Sequence, residues 1–157
     1  MYYTPKRPVK SFQDLEVYQN LLSGSVKIAK AIKEDEAHNL TKDSPAQGRE
    51  SPFSEKSDEL ITTPLLETVL SLPKQVARAH SIRFSYSKKA LEKLEEAMYN
   101  CNMAVVYLEQ YRDLMQSKKD ADFFEENIKN YLRTRGKIMR LQRSWAKFAK
   151  ERQRELT

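Results

Sequence analysis

Apolar residues recur at helical spacing in four stretches of the chain, and polar breaks separate them. The first stretch opens at Ser11, an N-cap residue with Asp14 three positions on, close to a capping box. Phe12, Leu15, Leu22, Val26, Ala29 and Ile32 follow on one predicted face, with the helix ending near Glu36. Residues 37–57 are polar and carry Pro45, Gly48 and Pro52, which predicts a flexible linker. Such a length is unusual inside a compact domain, but its polarity favours a solvated insertion between the first two helices.

The second helix is predicted from Thr63, with Pro64 at the first helical position, where its missing N–H is not needed. Leu65, Leu66, Val69, Leu70, Leu72, Val76 and Ala77 supply its apolar face. Pro73 removes a backbone hydrogen bond there and is expected to kink the helix. The third helix starts near Ser87. Its residues Leu91, Leu94, Met98, Cys101, Val105, Leu108 and Met115 step by threes and fours, with Arg112 in the one remaining position. That is a heptad seam, the pattern of helices packing at about 20° in a bundle. A polar break at 117–120 leads to a fourth helix running to about Glu155, with Phe124, Ile128, Tyr131, Ile138, Leu141, Trp145 and Phe148 as its stripe. Gly136 inside it costs about 1 kcal/mol against Ala. The fold class predicted is all-α: an up-down antiparallel four-helix bundle over residues 11–155, preceded by a basic arm at 1–10.

Composition agrees. The 157 residues suffice for one core, 32% are charged, and only 3 are Gly and 6 Pro, which argues against a β-rich fold. No run approaches the roughly 18 apolar residues of a membrane span. The opening residues carry no apolar segment of the kind a secretory signal has. The single cysteine, Cys101, allows no intramolecular disulfide, so the expected compartment is the cytoplasm.

The net charge of +6 is unevenly spread. Residues 129–157 hold ten Lys/Arg against two Glu, and residues 1–10 add three more cations, so the rest of the chain is net −5. On a helical wheel of the fourth helix, Lys129, Lys137, Arg140, Lys147 and Arg154 fall within about 60° of Arg133, while the apolar stripe centres about 150° away. With Arg143 beside them, they form a ridge roughly 30 Å long. Arg78, His80, Arg83, Lys88 and Lys89 make a second basic cluster between the second and third helices.

Catalytic chemistry finds little footing. Two histidines and one cysteine give no ligand set with zinc spacing. Cys101 lies on the apolar seam, where a thiol is inert. The carboxylates Glu92, Glu95, Glu96, Glu109, Glu125 and Glu126 sit near Lys or Arg as intrahelical pairs. A di-iron bundle would need Glu-x-x-His on two helices, and three glycines build no phosphate loop. The expectation is a non-enzymatic protein without metal or cofactor.

The ridge admits two readings: a solvated face whose cations suit a helix C-terminus, or a polyanion footprint. Its excess of positive charge is more than the helix dipole accounts for. Arg135 falls on the apolar side of its helix, so pairing or a subunit interface is expected for it. Tyr107 and Tyr111 read as partly exposed, and with Trp145 they complete a candidate interface.

Residues 12–19, Phe-Gln-Asp-Leu-Glu-Val-Tyr-Gln, resemble the opening of the four-helix-bundle proteins encoded in 23S ribosomal RNA intervening sequences. Ser71-Leu72-Pro73 fits that family's Ser-hydrophobic-Pro, and its following Ile-Ala-Glu-Gly is here Val76-Ala77-Arg78-Ala79. The remainder resembles a related family, the accessory variability determinant (Avd) of diversity-generating retroelements. The likeness lies in Ala79-His80-Ser81-Ile82-Arg83, Ala90-Leu91, Glu95-Glu96-Ala97, Arg112-Asp113-Leu114, Gly136-Lys137-Ile138-Met139 and Ser144-Trp145. It covers about residues 11–36 and 64–150. The resemblance implies a four-helix bundle assembling as a basic homopentameric barrel that associates with a reverse transcriptase and its template RNA, with no catalytic residue. It directs the nucleic-acid-binding expectation to Lys129, Arg133, Lys137, Arg140, Arg143 and Lys147, supported by Arg78 and Arg83. The intervening-sequence likeness implies the alternative, a protein–protein scaffold with no nucleic-acid role.

Overall fold

The computed structural model describes residues 11–42 and 52–156. The 1–10 arm and the middle of the expected linker lie outside the described residues. Those described are all-helical: a 3₁₀ turn Phe12–Asp14, then α1 Glu16–Lys42, α2 Pro52–Ser57, a π-helical turn Asp58–Thr62, α3 Thr63–Ile82, α4 Ser87–Leu114 and α5 Ala121–Glu155. Helices α1, α3, α4 and α5 pack together as a bundle.

The Ser11 box exists but caps the 3₁₀ turn: Ser11 Oγ accepts from Gln13 N at 3.2 Å, and Ser11 N donates to Asp14 Oδ2 at 3.2 Å. Two boundaries differ from expectation. Helix α1 runs on to Lys42, not Glu36, and helical backbone resumes at Pro52, eleven residues before Thr63. Tertiary anchors explain both shifts. Asp35, near the expected end of α1, is buried and bonded to the α4–α5 turn. At the end of the expected linker and beyond it, Ser57, Ile61 and Thr62 are buried, so the segment before Thr63 packs on the bundle.

Helix α4 is central, packed against both α3 and α5. Leu94, Met98, Cys101, Val105 and Leu108 of the expected seam are buried, and Ala90, Ala97, Ala104 and Tyr111 join them. The small alanines widen the buried face so that α4 serves two neighbours. Tyr111 is thus a core residue, only 5% exposed, where partial exposure was expected. On α1 the register is corrected. Leu21, Ile28, Ala31 and Ile32 are buried, while Leu22 and Val26 are exposed. The inward face also takes Ser25, whose Oγ satisfies itself on Leu22 O at 2.8 Å, so apolarity alone did not mark it.

Two glycines behave oppositely. A Cβ at Gly24 would lie 3.1 Å from the Tyr131 hydroxyl, so α1 and α5 approach closely there. A Cβ at Gly136 would meet nothing within 4 Å.

Candidate nucleic-acid interface

Helix α5 is the longest element, about 50 Å at 1.5 Å per residue. Asp120 caps it, accepting from Phe123 N at 2.9 Å. Its buried residues are Phe124, Asn127, Tyr131, Thr134 and Ile138, an arc of about 80° on the wheel. Beyond Ile138 no residue of α5 is fully buried. The first half of α5 is therefore a core helix, and the second half is a rod only partly covered on one side.

The basic ridge lies opposite the buried arc. Lys129, Arg133, Arg140, Arg143 and Lys147 are exposed, and Lys137 is half-buried. Two of these cations are neutralised locally: Lys129 pairs with Glu125 at 3.0 Å, and Lys137 pairs with Glu16 of α1. Arg133, Arg140, Arg143 and Lys147 form no ion pair among the described residues. Four cations along one exposed face thus remain available to an outside anion. Helix α1 adds Lys27, which lines a polar cleft of about 210 Å³ with Asn20, Glu126, Lys129, Asn130 and Arg133, so the cleft holds three cations and one carboxylate. Lys27 gave no signal in the sequence because only the tertiary pairing of α1 with α5 brings it there.

The supporting cations separate. Arg78 is exposed on α3, two residues before His80. Residues two apart on a helix face different sides, and it is His80 that faces α5, its ring 6.2 Å from that of Trp145. Arg78 therefore lies off the His80 face. Arg83, in the α3–α4 turn, does meet α5. Its guanidinium stands 4.1 Å from the centroid of Phe84, with Arg152 of α5 at 5.8 Å from the same ring. Phe84 and Phe148 lie 5.5 Å apart, and they are 53% and 49% exposed. Phe148, expected on the apolar stripe, is thus at the surface, because the bundle no longer covers this end of α5.

The expected interface set divides too. Tyr111 is buried, its hydroxyl bonded to Asp35. Tyr107 and Trp145 are half-buried against the core. Arg135 is exposed, since it falls just beyond the edge of the buried arc, and it needs no partner to be solvated.

Among the described residues no three His, Cys, Asp or Glu side chains come together as metal ligands, and no helix is long and apolar enough to cross a membrane. Burial pushes the Cys101 thiol up to about 12, slightly opposed by the charge of Arg135. At neutral pH it is a thiol, not a thiolate nucleophile. Comparison of the chain with family models, curated proteins and solved structures finds no match.

Proposed function

We propose that this chain is a non-enzymatic, cytoplasmic accessory protein of a diversity-generating retroelement, binding template RNA through α5 and docking the reverse transcriptase on a homopentameric assembly. The observation that carries the RNA-binding part is the exposed row of Arg133, Arg140, Arg143 and Lys147, which no carboxylate among the described residues neutralises. Cations on a rigid helix at this spacing suit a phosphate backbone, which they grip without reading bases. Self-association draws support from Leu22 and Val26, exposed one turn apart on α1. The retroelement setting rests on the resemblance of the Ala79–Trp145 motifs to the Avd proteins, a family related to the intervening-sequence proteins that residues 12–19 resemble.

The test is fluorescence anisotropy of the protein with a structured RNA and a DNA duplex of equal length over a salt series. The expected result is tight binding with a steep salt slope, preference for the RNA, and loss of affinity in the Arg133→Glu, Arg140→Glu, Lys147→Glu triple variant. Absence of binding at about 100 mM salt would refute the nucleic-acid role. The chain would then be a protein–protein scaffold like the intervening-sequence proteins.

A further inference from the structure

The α3–α4 turn and the last turns of α5 meet in a feature the ridge does not explain. Phe84 and Phe148 present their rings at the surface, half-exposed, with centroids 5.5 Å apart and planes inclined at 54°. Tyr86 stands nearby in the same turn, 59% exposed, with Lys89 Nζ 5.4 Å from its ring centre. An open groove of about 520 Å³ runs beside the two phenylalanines, lined also by Arg83, Lys88, Lys150 and Arg152. A neighbouring pocket joins Phe84 and Phe148 to Trp145.

Water is a poor partner for two large rings, and a bundle end could have covered them. Here four cations and two carboxylates stand around them. Arg83 and Arg152 both approach the Phe84 ring, so this aromatic surface is electropositive at its rim. The groove carries four cations, and the acidic side chains at its edge are Glu151 and Glu155. Arg83 is already bonded to His80, but an apolar peptide would leave Lys88, Lys150 and Arg152 unpaired, and an acidic one would leave the rings uncovered. A chain of alternating anionic phosphates and flat, apolar-faced bases satisfies both. Phe148 follows Lys147 but points about 100° round the helix from it, so the rings flank the ridge near the end of α5 rather than lying on its face.

We propose that Phe84 and Phe148 form a stacking platform for unpaired bases of the RNA, fed by the α5 ridge. The protein then favours single-stranded or looped segments over continuous duplex. The bases would stack on the ring faces of Phe84 and Phe148 that Arg83 leaves open, while Lys88 and Arg152 hold the flanking phosphates. A base inside a duplex is already stacked and cannot reach these rings. This inference rests on the RNA-binding reading above and extends it to the strandedness of the ligand.

The experiment compares a fluorescein-labelled single-stranded RNA 20-mer with the same sequence as a duplex, at one salt concentration, by anisotropy. The proteins are the wild type, the double variant Phe84→Leu, Phe148→Leu, and the double variant Phe84→Tyr, Phe148→Tyr. The leucines keep an apolar side chain of similar reach but remove the π face. The tyrosines retain it and serve as the rescue. Quenching of Trp145, the sole tryptophan, reports on the neighbouring pocket it shares with Phe84 and Phe148.

The expected result is that the leucine pair loses about tenfold or more in affinity for the single strand. Duplex affinity stays constant, the tyrosine pair binds the single strand like the wild type, and single-strand RNA quenches Trp145. If the leucine pair binds both RNAs as the wild type does, the platform is refuted while the ridge reading stands. If the leucine pair changes only the mass in light scattering, the rings cover a second copy of the chain, and the platform is again refuted. A wild type that binds neither RNA overturns the function proposal itself and the platform with it.

Discussion

The hydroxyl of Tyr111 donates a 2.9 Å hydrogen bond to Oδ2 of Asp35, tying α4 to α1 across 76 positions of sequence. Ser117 Oγ donates to the same oxygen at 2.7 Å, and Lys118 N donates to Oδ1 at 2.7 Å. One buried carboxylate thus gathers α1, α4 and the α4–α5 turn. Burial, then the bond to Asp35, pushes the Tyr111 hydroxyl well above the usual phenol range, so it stays a donor at every physiological pH. Asp35→Ala strands three donors at once and is expected to cost about 3 kcal/mol. Tyr111→Phe removes one donor of three and is expected to cost about 1 kcal/mol. Urea unfolding with constant slope measures both. An Asp35→Ala loss no larger than that of Tyr111→Phe would show that the turn is held by packing instead.

The two helical glycines offer a paired measurement. Replacing Gly136 by Ala meets open space and gains helix propensity, so unfolding stability is expected to rise by about 1 kcal/mol. Replacing Gly24 gains the same propensity but brings a methyl to 3.1 Å from Tyr131 Oη. Tyr131 is fully buried and cannot swing away. Gly24→Ala is therefore expected to be destabilising despite the better helix former. Equal stabilisation by both would mean that α1 is free to move off α5.

These elements also mark where the sequence was readable. The third helix was legible because its threes-and-fours spacing admits one bundle-facing side, and Leu94, Cys101 and Leu108 lie on it. The first was misread at adjacent leucines. Leu21 and Leu22 carry equal hydrophobicity, and the residues that decide between them are polar and inward: Ser25 satisfies itself on Leu22 O one turn back, and Asp35 is held by Tyr111 and Ser117 far away in sequence. The basic ridge was legible from the wheel alone, since exposure on a long helix follows periodicity. Lys27, Phe84 and Phe148 were not, because a neighbouring helix or turn defines their surroundings. Phe148 in particular keeps the spacing of a core residue on a part of α5 that has outrun the core.

Cys101 gives a prediction about reactivity. It is fully buried, and burial raises its thiol to about 12. Native protein incubated with iodoacetamide at about pH 8, where an ordinary thiol reacts readily, is expected to remain unlabelled by intact mass. The same protein in denaturant takes up one equivalent, since the chain has one cysteine. Rapid labelling of the native protein would mean that the α4 seam opens far more often than its packing allows.

His80 couples packing to pH at the end of the bundle nearest the proposed RNA platform. Its ring is buried beside Trp145, and Nδ1 lies 3.1 Å from Nη1 of Arg83. A guanidinium can only donate, so Nδ1 accepts and the neutral ring carries its proton on Nε2. Burial, and then the charge of Arg83, push His80 below its ordinary value of 6.5. The unfolded chain therefore takes up this proton at higher pH than the native one does. The stability from neutral His80 is complete above 6.5 and is lost as pH falls from there through the lowered native value. Wild-type stability in urea is expected to fall between about pH 6.5 and 5, with a slope of up to about 1.4 kcal/mol per pH unit, before ordinary carboxylates titrate. His80→Leu is expected to flatten that slope, with Trp145 fluorescence as the local reporter and half-buried His38→Ala as a control. Parallel pH profiles for the wild type and His80→Leu would show that His80 protonates as readily in the fold as outside it, and that Arg83 does not hold it neutral.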